Sequence, residues 1–393
     1  MKLIREDAVH RDISLLHEAW SAPESFLLVP EKLSVTGSWL ANALASVPES
    51  LREGHFIMLT SGTTGSPKLV IGNRQRSEQL ASVLHKKQHS EPASETIVLL
   101  PLSYTYAFVN QWLWAHTHQR TLRITPGFAD PKALGEALAA TSRAMICLVG
   151  VQVPLLINYL GASSFPGVIR IHFAGGRFPQ ERLAELRTMF PNAEVFNNYG
   201  CAEAMPRLTL RRAEHADEAT DIGLPLPGIE LKCGEGSALM FRSPYGAVGV
   251  VENGRYNAIL ADDWVPTGDL AEQNESGSWR LLGRASEVFK RHGEKVSLQS
   301  LASTVTEVWP GQCAFYRETD RFGEDGCVLT VAPPANPKFL QRLLLALRKQ
   351  HKRAQWPLRI EAVNALPLLS NRKPDLRALR DFPAKITLWQ QHI

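Results

Sequence analysis

The sequence has few cysteines and no long apolar run. Its 5 cysteines are odd in number and widely scattered among 393 residues. No two have the spacing of zinc ligands, so neither a disulfide framework nor a metal site is indicated. The longest apolar stretch, 144–160, contains Gln152, Pro154 and Asn158 and is shorter than the roughly 20 apolar residues of a membrane-spanning helix. The charged start of the chain precedes no apolar run, which argues against a secretory signal. These absences predict a soluble, cytoplasmic protein with no membrane partner.

The sequence also lacks a strong excess of charge of either sign. Lysine and arginine number 43 against 39 aspartates and glutamates, which gives a net charge of +4. That excess is too small to favour a nucleic-acid partner. Hydrophobic residues make up 44% and charged residues 21%, a composition that excludes disordered and fibrous classes. At roughly 100–200 residues per domain, the length favours two domains of unequal size.

Between about residues 55 and 283, short apolar runs alternate with helical stretches. The runs 145–149, 168–173 and 193–197 are typical of buried strands, and 179–190 is typical of a helix. A strand, a crossover helix and a second strand predict a parallel sheet with helices on its faces. Ligands of such sheets collect at the carboxyl ends of the strands, where glycine-containing loops follow two of these runs.

One loop has the composition of a phosphate-binding segment. The apolar run 56–59 stops at a segment that reads Thr60-Ser61-Gly62-Thr63-Thr64-Gly65-Ser66-Pro67-Lys68. Glycines allow backbone N–H groups to approach phosphate oxygens, hydroxyls add donors, and the lysine adds a positive charge. The segment is not a Walker loop, because Lys68 follows a proline and no serine or threonine comes after it. A polar surface turn is the alternative interpretation.

This loop resembles the signature loop of the adenylate-forming superfamily, which includes acyl-CoA synthetases, luciferases and the adenylation domains of peptide synthetases. Further stretches that resemble family motifs follow in the family's order: Ala174-Gly175-Gly176-Arg177, Asn198-Tyr199-Gly200-Cys201-Ala202-Glu203, Gly223-Leu224-Pro225-Leu226-Pro227-Gly228, Thr267-Gly268-Asp269, Gly283-Arg284 and Ser370-Asn371-Arg372-Lys373. The chain departs from the family's usual residues at Ala202, Ser286 and Arg372.

The resemblance implies a role for each of these motifs. ATP is expected to be bound by Ser61, Gly62, Thr63, Thr64, Gly65, Lys68, Gly175, Gly176, Asn198, Tyr199, Gly200, Asp269 and Arg284. Tyr199 is expected to stack on adenine, and Asp269 to accept hydrogen bonds from both ribose hydroxyls. Glu203 is expected to hold Mg²⁺ and, with Thr60 and Lys373, to form the catalytic group; Lys373 is the strongest single catalytic candidate.

The acyl substrate is expected to bind along the segment that contains Tyr104, Tyr106 and Phe108, with Cys201 as a further contact. No acidic residue occurs between positions 96 and 123, so nothing there would pair with an α-ammonium group. An aromatic and apolar lining favours an aromatic or other apolar acid without an α-amine. The alternative is that these aromatic residues form the core of the following helix.

The resemblance implies an α/β fold with two domains. Residues 1–283 are predicted to form a large AMP-binding domain that is shorter at its front than in most of the family, with mixed or parallel sheets flanked by helices and a β-rich subdomain. Residues 284–393 are predicted to form a small, mobile α+β lid that swings about a hinge near Ser286.

The implied reaction joins ATP to a carboxylic acid, with release of pyrophosphate and Mg²⁺ as the metal. The acyl group would then pass to the pantetheine thiol of CoA or of a carrier protein, so the expected partners are a small carboxylic acid and, for the second acceptor, an acyl carrier protein. Three alternatives stay open: transfer to an amine, o-succinylbenzoate–CoA ligase activity, and a nucleotide-binding paralogue without activity. o-Succinylbenzoate–CoA ligase activity would need a second arginine that binds a carboxylate, and the sequence does not identify one.

Overall fold

The fold is known from a computed structural model that describes residues 1–31, 35–61, 67–150, 152–176, 178–215, 220–309, 311–334, 337–368 and 374–391. Internal packing divides the chain into two compact units. Unit 1 comprises Met1–Thr267 and Ala271–Leu282, and unit 2 comprises Gly268–Leu270 and Gly283–Ile393.

The described residues form strands and helices throughout the chain. The strands are β1 (Lys2–Arg5), β2 (Phe26–Val29), β3 (His55–Ser61), β4 (Pro67–Asn73), β5 (Glu95–Val98), β6 (Thr121–Ile124), β7 (Ala144–Val149), β8 (Val168–Ala174), β9 (Glu194–Tyr199), β10 (Thr209–Arg212), β11 (Asp221–Pro225), β12 (Glu230–Cys233), β13 (Ala238–Arg242), β14 (Gly249–Glu252), β15 (Arg255–Ala258), β16 (Val265–Gln273), β17 (Trp279–Arg284), β18 (Val288–Arg291), β19 (Glu294–Ser297), β20 (Gln312–Thr319), β21 (Asp325–Ala332), β22 (Arg359–Ala362) and β23 (Ile386–Gln390). The α-helices are α1 (Glu6–Arg11), α2 (Ser14–Ser21), α3 (Gly37–Ala45), α4 (Arg74–Lys87), α5 (Thr105–Ala107), α6 (Trp114–Thr117), α7 (Pro131–Ala139), α8 (Gln152–Leu160), α9 (Leu183–Met189), α10 (Leu298–Val308), α11 (Pro337–Gln350) and α12 (Leu376–Arg380). A π-helical segment, Phe108–Leu113, joins α5 to α6.

Unit 1 contains a six-stranded mixed sheet with the order β1-β2-β3-β4-β14-β15. Strands β1, β2 and β3 run parallel to one another, whereas β4 and β14 are antiparallel to their neighbours. The apolar run 56–59 is therefore an inner strand of a sheet, and β3 and β4 are joined by the residues of the predicted phosphate loop.

A larger sheet of eleven strands has the order β12-β13-β16-β17-β11-β10-β9-β8-β7-β5-β6. Its strands β5 to β9 pair in parallel, and helices α8 and α9 connect β7, β8 and β9 in succession. The parallel sheet that the sequence predicts is thus confirmed. Helix α7 begins at Pro131, because Asp130 caps its N-terminus and the proline occupies the first turn.

The large sheet has an apolar core on each face. Alternation along β7 places Ile146 and Leu148 in one core with helices α7 to α9, and Cys147 in the other. The second of these cores also takes residues from β3, β4 and the helical run 105–117. One core therefore joins side chains of β7 and β9 to side chains of the smaller sheet.

Unit 2 has a four-stranded sheet, β20-β21-β22-β23, and a hairpin of β18 and β19. Helix α11 buries Leu343 and Leu347 against this sheet. The mixed α/β fold class, with large sheets flanked by helices and a separate β-rich region, is confirmed. No helix in the described ranges is both long enough and apolar enough to cross a membrane.

Candidate active site

The ends of β3 and β4 bring two predicted site residues together. Thr60 lies opposite Lys68 in the antiparallel register, so their side chains lie on the same face of the sheet. The Oγ1 atom of Thr60 is buried and has no hydrogen-bond partner among the described residues. Ser61 is the last residue of β3. Gly62, Thr63, Thr64 and Gly65 lie outside the described residues.

Lys68 forms an ion pair with Glu203. The Nζ atom of Lys68 donates to Oε1 of Glu203, and the two side chains are only 11% and 17% exposed. Glu203 lies in a 3₁₀ turn, Ala202–Ala204, directly after β9. Two residues that are 135 positions apart in the sequence are thus neighbours in the fold.

Tyr199 is the last residue of β9 and Gly200 follows it, so both come shortly before Glu203 of this ion pair in the sequence. Tyr199 is 8% exposed, and its carbonyl oxygen accepts from the backbone N–H of Leu208 at 2.9 Å. Gly200 is required by close packing, because a Cβ atom at this position would lie 1.9 Å from the carbonyl oxygen of Pro206. The glycine of the tyrosine–glycine motif therefore allows two backbone segments to touch.

Asn198, predicted to bind the nucleotide, makes internal hydrogen bonds. Its Nδ2 atom donates to the carbonyl oxygens of Phe173 at 3.1 Å and Phe196 at 3.3 Å, and its Oδ1 accepts from Nε2 of Gln88 at 2.7 Å. The side chain is 2% exposed. In this structure Asn198 joins β8, β9 and helix α4.

Gly175 and Gly176 follow β8 with exposed backbone. Gly175 has a φ of +75°, a conformation that residues with a Cβ rarely adopt. A Cβ atom there would lie 3.4 Å from Cγ1 of Val149, and one on Gly176 would meet nothing within 4 Å. The glycine pair thus presents open backbone at the carboxyl edge of the parallel sheet.

Asp269 and Arg284 are both in unit 2, where they form an ion pair. Nε of Arg284 lies 2.9 Å from Oδ1 of Asp269, whose side chain is 7% exposed while that of Arg284 is 38% exposed. Asp269, predicted to bind the ribose, and Arg284, predicted to bind ATP, are therefore in contact with each other. Lys373 lies outside the described residues, and its catalytic role stays a prediction.

The predicted substrate residues differ in their surroundings. Phe108 is 0% exposed and packs on Phe56 and Trp112 with ring centroids 5.0 and 4.8 Å apart, so its ring belongs to the core of the helical run. Tyr104 and Cys201 are partly exposed. Tyr106 is also partly exposed, and its hydroxyl donates to the carbonyl oxygen of His172 at 2.7 Å.

Sequence reasoning missed a buried polar cluster beside Tyr106. Arg207 is 1% exposed; its Nε and Nη2 atoms donate to Oδ1 of Asn110 at 3.0 and 2.9 Å, and its guanidinium lies 4.4 Å from the ring centroid of Tyr106. Cys147 and His172, opposite each other on β7 and β8, complete the cluster. Its residues come from four separate regions of the chain, and no local motif marks them.

Burial controls the titration of this cluster. It raises the pKa of Tyr106 well above its ordinary value and that of Cys147 to about 12. Burial, then Arg207 and Arg170, hold the pKa of His172 well below its ordinary value. Burial also lowers the pKa of Arg207. Near neutral pH the cluster therefore contains a neutral phenol, a neutral thiol and a neutral imidazole around a guanidinium.

A buried acid near the predicted substrate segment also escaped sequence reasoning. Glu6, at the start of α1, is 3% exposed. Its Oε1 accepts from the backbone N–H of Ser103 at 3.0 Å, and its Oε2 accepts from the Ser103 hydroxyl at 2.8 Å. Glu6 thus fixes the turn that precedes Tyr104. The sequence offered no signal for this contact because 97 positions separate the two residues.

Comparison with protein families identifies the class of this chain. Residues 5–238 match the family described as AMP-binding enzyme. The match covers more than half of the chain, and its range contains the phosphate loop, the glycine pair and the Tyr199–Glu203 turn. The chain belongs to the AMP-binding enzyme family.

Relatives in this family are distant. The chain is 25% identical over 363 residues to the non-ribosomal peptide synthetase CmlP of Streptomyces venezuelae, a match that covers 88% of the chain and 36% of the relative. It is also 25% identical over 352 residues to a salicylyl-CoA synthase / salicylate adenylyltransferase of a Streptomyces species, with 82% and 62% covered. The chain thus spans less than two thirds of the length of these relatives.

Solved structures share the fold. The amide bond synthetase McbA of Marinactinospora thermotolerans matches with a TM-score of 0.70 and 18% identity over 97% of the chain and 79% of McbA. The O-succinylbenzoate coenzyme A synthetase MenE of Bacillus subtilis, in complex with ATP and magnesium ion, matches with a TM-score of 0.69 and 18% identity, covering 83% and 70% of the two chains.

Proposed function

We propose that this protein activates a carboxylic acid with ATP, forms an acyl-adenylate and releases pyrophosphate. The observation that carries the proposal is the convergence, in unit 1, of Thr60, Lys68 and Glu203 at the strand ends that precede and follow the predicted phosphate loop. Membership of the AMP-binding enzyme family supports the same reaction class.

The reaction joins two anions. A carboxylate oxygen of the acid attacks the α-phosphorus of ATP; the bond from that phosphorus to the bridging oxygen breaks, and pyrophosphate leaves with the electron pair. The site must therefore reduce the repulsion between carboxylate and phosphates. Lys68 supplies a positive charge, and Oγ1 of Thr60, which has no hydrogen-bond partner among the described residues, supplies a buried donor suited to a phosphate oxygen.

The residues present fit Mg²⁺, which takes one or two carboxylates and completes its coordination with water and substrate phosphates. No group of three or more His, Cys, Asp or Glu side chains within the described ranges could hold a metal by itself. Glu203 would hold the ion, which would neutralise phosphate charge when bound. Lys68, the present partner of Glu203, is then free to donate to a phosphate oxygen.

We further propose an aromatic or other apolar acid without an α-amine, bound against Tyr106 and Cys201. Among the described residues between positions 96 and 123 there is no carboxylate, and Glu6 is already bonded to Ser103. The acceptor in the second half-reaction is the thiol of CoA or of a carrier protein. Relatives with such names are the salicylyl-CoA synthase and the D-alanine–D-alanyl carrier protein ligases. The name of McbA describes amide bond formation, so an amine is the second candidate for the acceptor.

The test is pyrophosphate release from the purified chain with ATP, Mg²⁺ and a panel of aromatic and aliphatic acids, with hydroxylamine to trap the activated acyl group. We expect release with at least one acid class, and a loss of about 100-fold or more in Lys68→Met and Glu203→Gln, because each removes charge stabilisation in the transition state. Lys373→Ala is expected to abolish adenylation while ATP binding persists.

Glu230→Gln is the matched control for Glu203→Gln, because Glu230 pairs with Arg242 on the surface of unit 1. Its activity should equal that of the natural chain. No pyrophosphate from any acid, in protein that is folded by circular dichroism, would contradict the proposed function.

A further inference from the structure

The helical run 105–117 joins the predicted acyl lining to two histidine contacts. Helix α5, the π-helical segment and helix α6 follow one another without a break. Tyr106 lies in the first turn and His116 in the last. Within the run, Nδ2 of Asn110 donates to the carbonyl oxygen of Tyr106 at 2.8 Å. Because the run is continuous, a displacement of the end that carries His116 is transmitted to Tyr106.

The first contact joins His116 to His17 of helix α2. Their Nδ1 atoms lie 2.8 Å apart, and the two rings stack with centroids 5.0 Å apart. A hydrogen bond between two imidazole nitrogens needs a hydrogen on one nitrogen and a lone pair on the other. The accepting Nδ1 atom therefore cannot bind a proton while the contact is intact. Both side chains are partly exposed, so protons from solvent compete with the contact.

The second contact joins the same end of the run to helix α4. Nε1 of Trp114 donates to Nδ1 of His85 at 3.1 Å, and the ring of His118 stacks on His85 with centroids 3.9 Å apart. An indole N–H group is a donor only, so Nδ1 of His85 must keep its lone pair. A proton on this nitrogen would remove the hydrogen bond. The second contact, like the first, thus requires a ring nitrogen without a proton.

Burial opposes protonation at the first contact. It lowers the pKa of His17, and His116 lowers that pKa further. Burial also lowers the pKa of His116, against the opposite effect of Glu78. Glu78, on helix α4, accepts from Nε1 of Trp20 at 2.7 Å. The neutral pair is therefore favoured in the folded chain near neutral pH.

The second contact has the same electrostatic bias. Burial lowers the pKa of His85 and of His118. His85 lowers the pKa of His118 further, Arg120 lowers both values, and Lys86 lowers that of His85. Glu91 raises both values without reversing the direction. Both contacts are therefore intact near neutral pH and sensitive to acid.

We propose that the helical run 105–117 is a pH-sensitive switch, held by the two histidine contacts near neutral pH and released in mildly acidic solution. Release displaces Tyr106 and weakens the binding of the acid. The effect on the acid rests on the proposed function, whereas the release itself does not.

The direction of the pH effect follows from the protons that the two contacts exclude. Each contact keeps one ring nitrogen unprotonated, and release lets that nitrogen titrate near its ordinary pKa of about 6.5. Below that pH the released form thus binds two more protons than the held form. The held form is favoured above about pH 6.5 and is lost as the pH falls below it.

Hydrogen exchange read by mass spectrometry measures the release without any ligand. Protection factors of the amides in 105–117 are compared at pH 7.5 and 5.5, after correction for the intrinsic exchange rate at each pH. Each freed nitrogen contributes about tenfold over this interval, so we expect about a 100-fold loss of protection. Amides of β7 to β9 should keep their protection, because the release is local.

Asparagine variants identify the groups that titrate. Asparagine places an amide where histidine places Nδ1, and its oxygen accepts a hydrogen bond at every pH of the experiment. His116→Asn and His85→Asn should each reduce the loss of protection to about tenfold, and the double variant should abolish it. His215→Asn is the matched control, since His215 is an exposed histidine of unit 1; it should keep the 100-fold loss.

A kinetic measurement tests the effect on the acid. KM for the acid and KM for ATP are measured at both pH values with each acid of the panel that releases pyrophosphate, benzoate and octanoate being among the acids tried. In the natural chain, KM for the acid should at least double at pH 5.5, because only the held form binds the acid well. In the double variant it should not change, while KM for ATP should respond to pH equally in both proteins.

The outcomes separate the switch from the proposed function. A local loss of protection that the double variant abolishes, without pyrophosphate from any acid, supports the switch and contradicts the function. Pyrophosphate release with equal protection at the two pH values overturns the switch and leaves the function standing. A loss that persists in the double variant, or one that spreads equally through unit 1, also overturns the switch. Local loss with an unchanged KM for the acid overturns its control of acid binding.

Discussion

The ion pair between Lys68 and Glu203 should contribute measurably to the stability of unit 1. Fully buried pairs lose about 3–5 kcal/mol when one partner is removed, whereas exposed pairs contribute roughly 0–1 kcal/mol. With side chains 11% and 17% exposed, this pair lies near the buried limit. We therefore expect Lys68→Met or Glu203→Gln to lower the free energy of unfolding by about 2–3 kcal/mol. The double variant should lose about 1–2 kcal/mol less than the sum of the single losses, because neither charge is then left unpaired.

The assay is urea unfolding at 25 °C and pH 7.5 for the four proteins of the cycle, followed by tryptophan fluorescence. The exposed pair of Arg242 and Glu230, with side chains 32% and 56% exposed, is the control cycle and should give a coupling of about 0–1 kcal/mol. Additive losses in the Lys68–Glu203 cycle would refute the reasoning, because they would mean that neither charge depends on the other in the folded state.

Three other predictions concern packing and titration. Gly200→Ala should destabilise the protein by more than about 2 kcal/mol, because its Cβ would meet a backbone carbonyl, whereas Gly37→Ala, with nothing within 4 Å, should be neutral or slightly stabilising; thermal unfolding distinguishes them. Phe108→Ala should lower the free energy of unfolding by about 3–5 kcal/mol, as measured by urea denaturation; a loss below about 1 kcal/mol would contradict its place in the core. His17 and His116 share a hydrogen bond of 2.8 Å between their Nδ1 atoms, and burial lowers the pKa of both. Since their folded pKa values lie below the unfolded value of about 6.5, their contribution to stability is complete above pH 6.5 and is lost as the pH falls below it. The melting temperature should thus drop from pH 7.5 to 5.5, and His116→Phe should make the drop shallower.

The local elements could be predicted from the sequence. Apolar runs of strand length, separated by helical stretches, specify the parallel strands β7 to β9 and the crossover helices α8 and α9 between them. The predicted phosphate loop and the Tyr199–Glu203 turn stand out in the sequence because the residues of each motif are contiguous.

Contacts between distant residues could not be predicted in the same way. Periodicity shows that Phe108 lies in an apolar environment, yet it does not separate a pocket wall from a core, because both are built from aromatic side chains. In the sequence, Arg207 cannot be distinguished from a surface arginine. Only the fold shows that Asn110 and Tyr106 contact its guanidinium. Likewise, the carboxylate that accepts a hydrogen bond from Ser103 belongs to Glu6. The composition of the substrate segment does not indicate this contact.

Asn198 fixes the position of the segment that follows β8 relative to the segment that follows β9. Its amide side chain forms hydrogen bonds with the backbone of β8 and β9 and with the side chain of Gln88, the residue after helix α4. These hydrogen bonds set the distance between the glycine pair that follows β8 and Tyr199 at the end of β9. The side chains of Tyr106 and Cys201, by contrast, pack on an apolar core, and apolar packing tolerates changes of shape. Under the proposed function, substitutions at Tyr106 or Cys201 would therefore change which acid is accepted while the spacing between the glycine pair and Tyr199 is preserved.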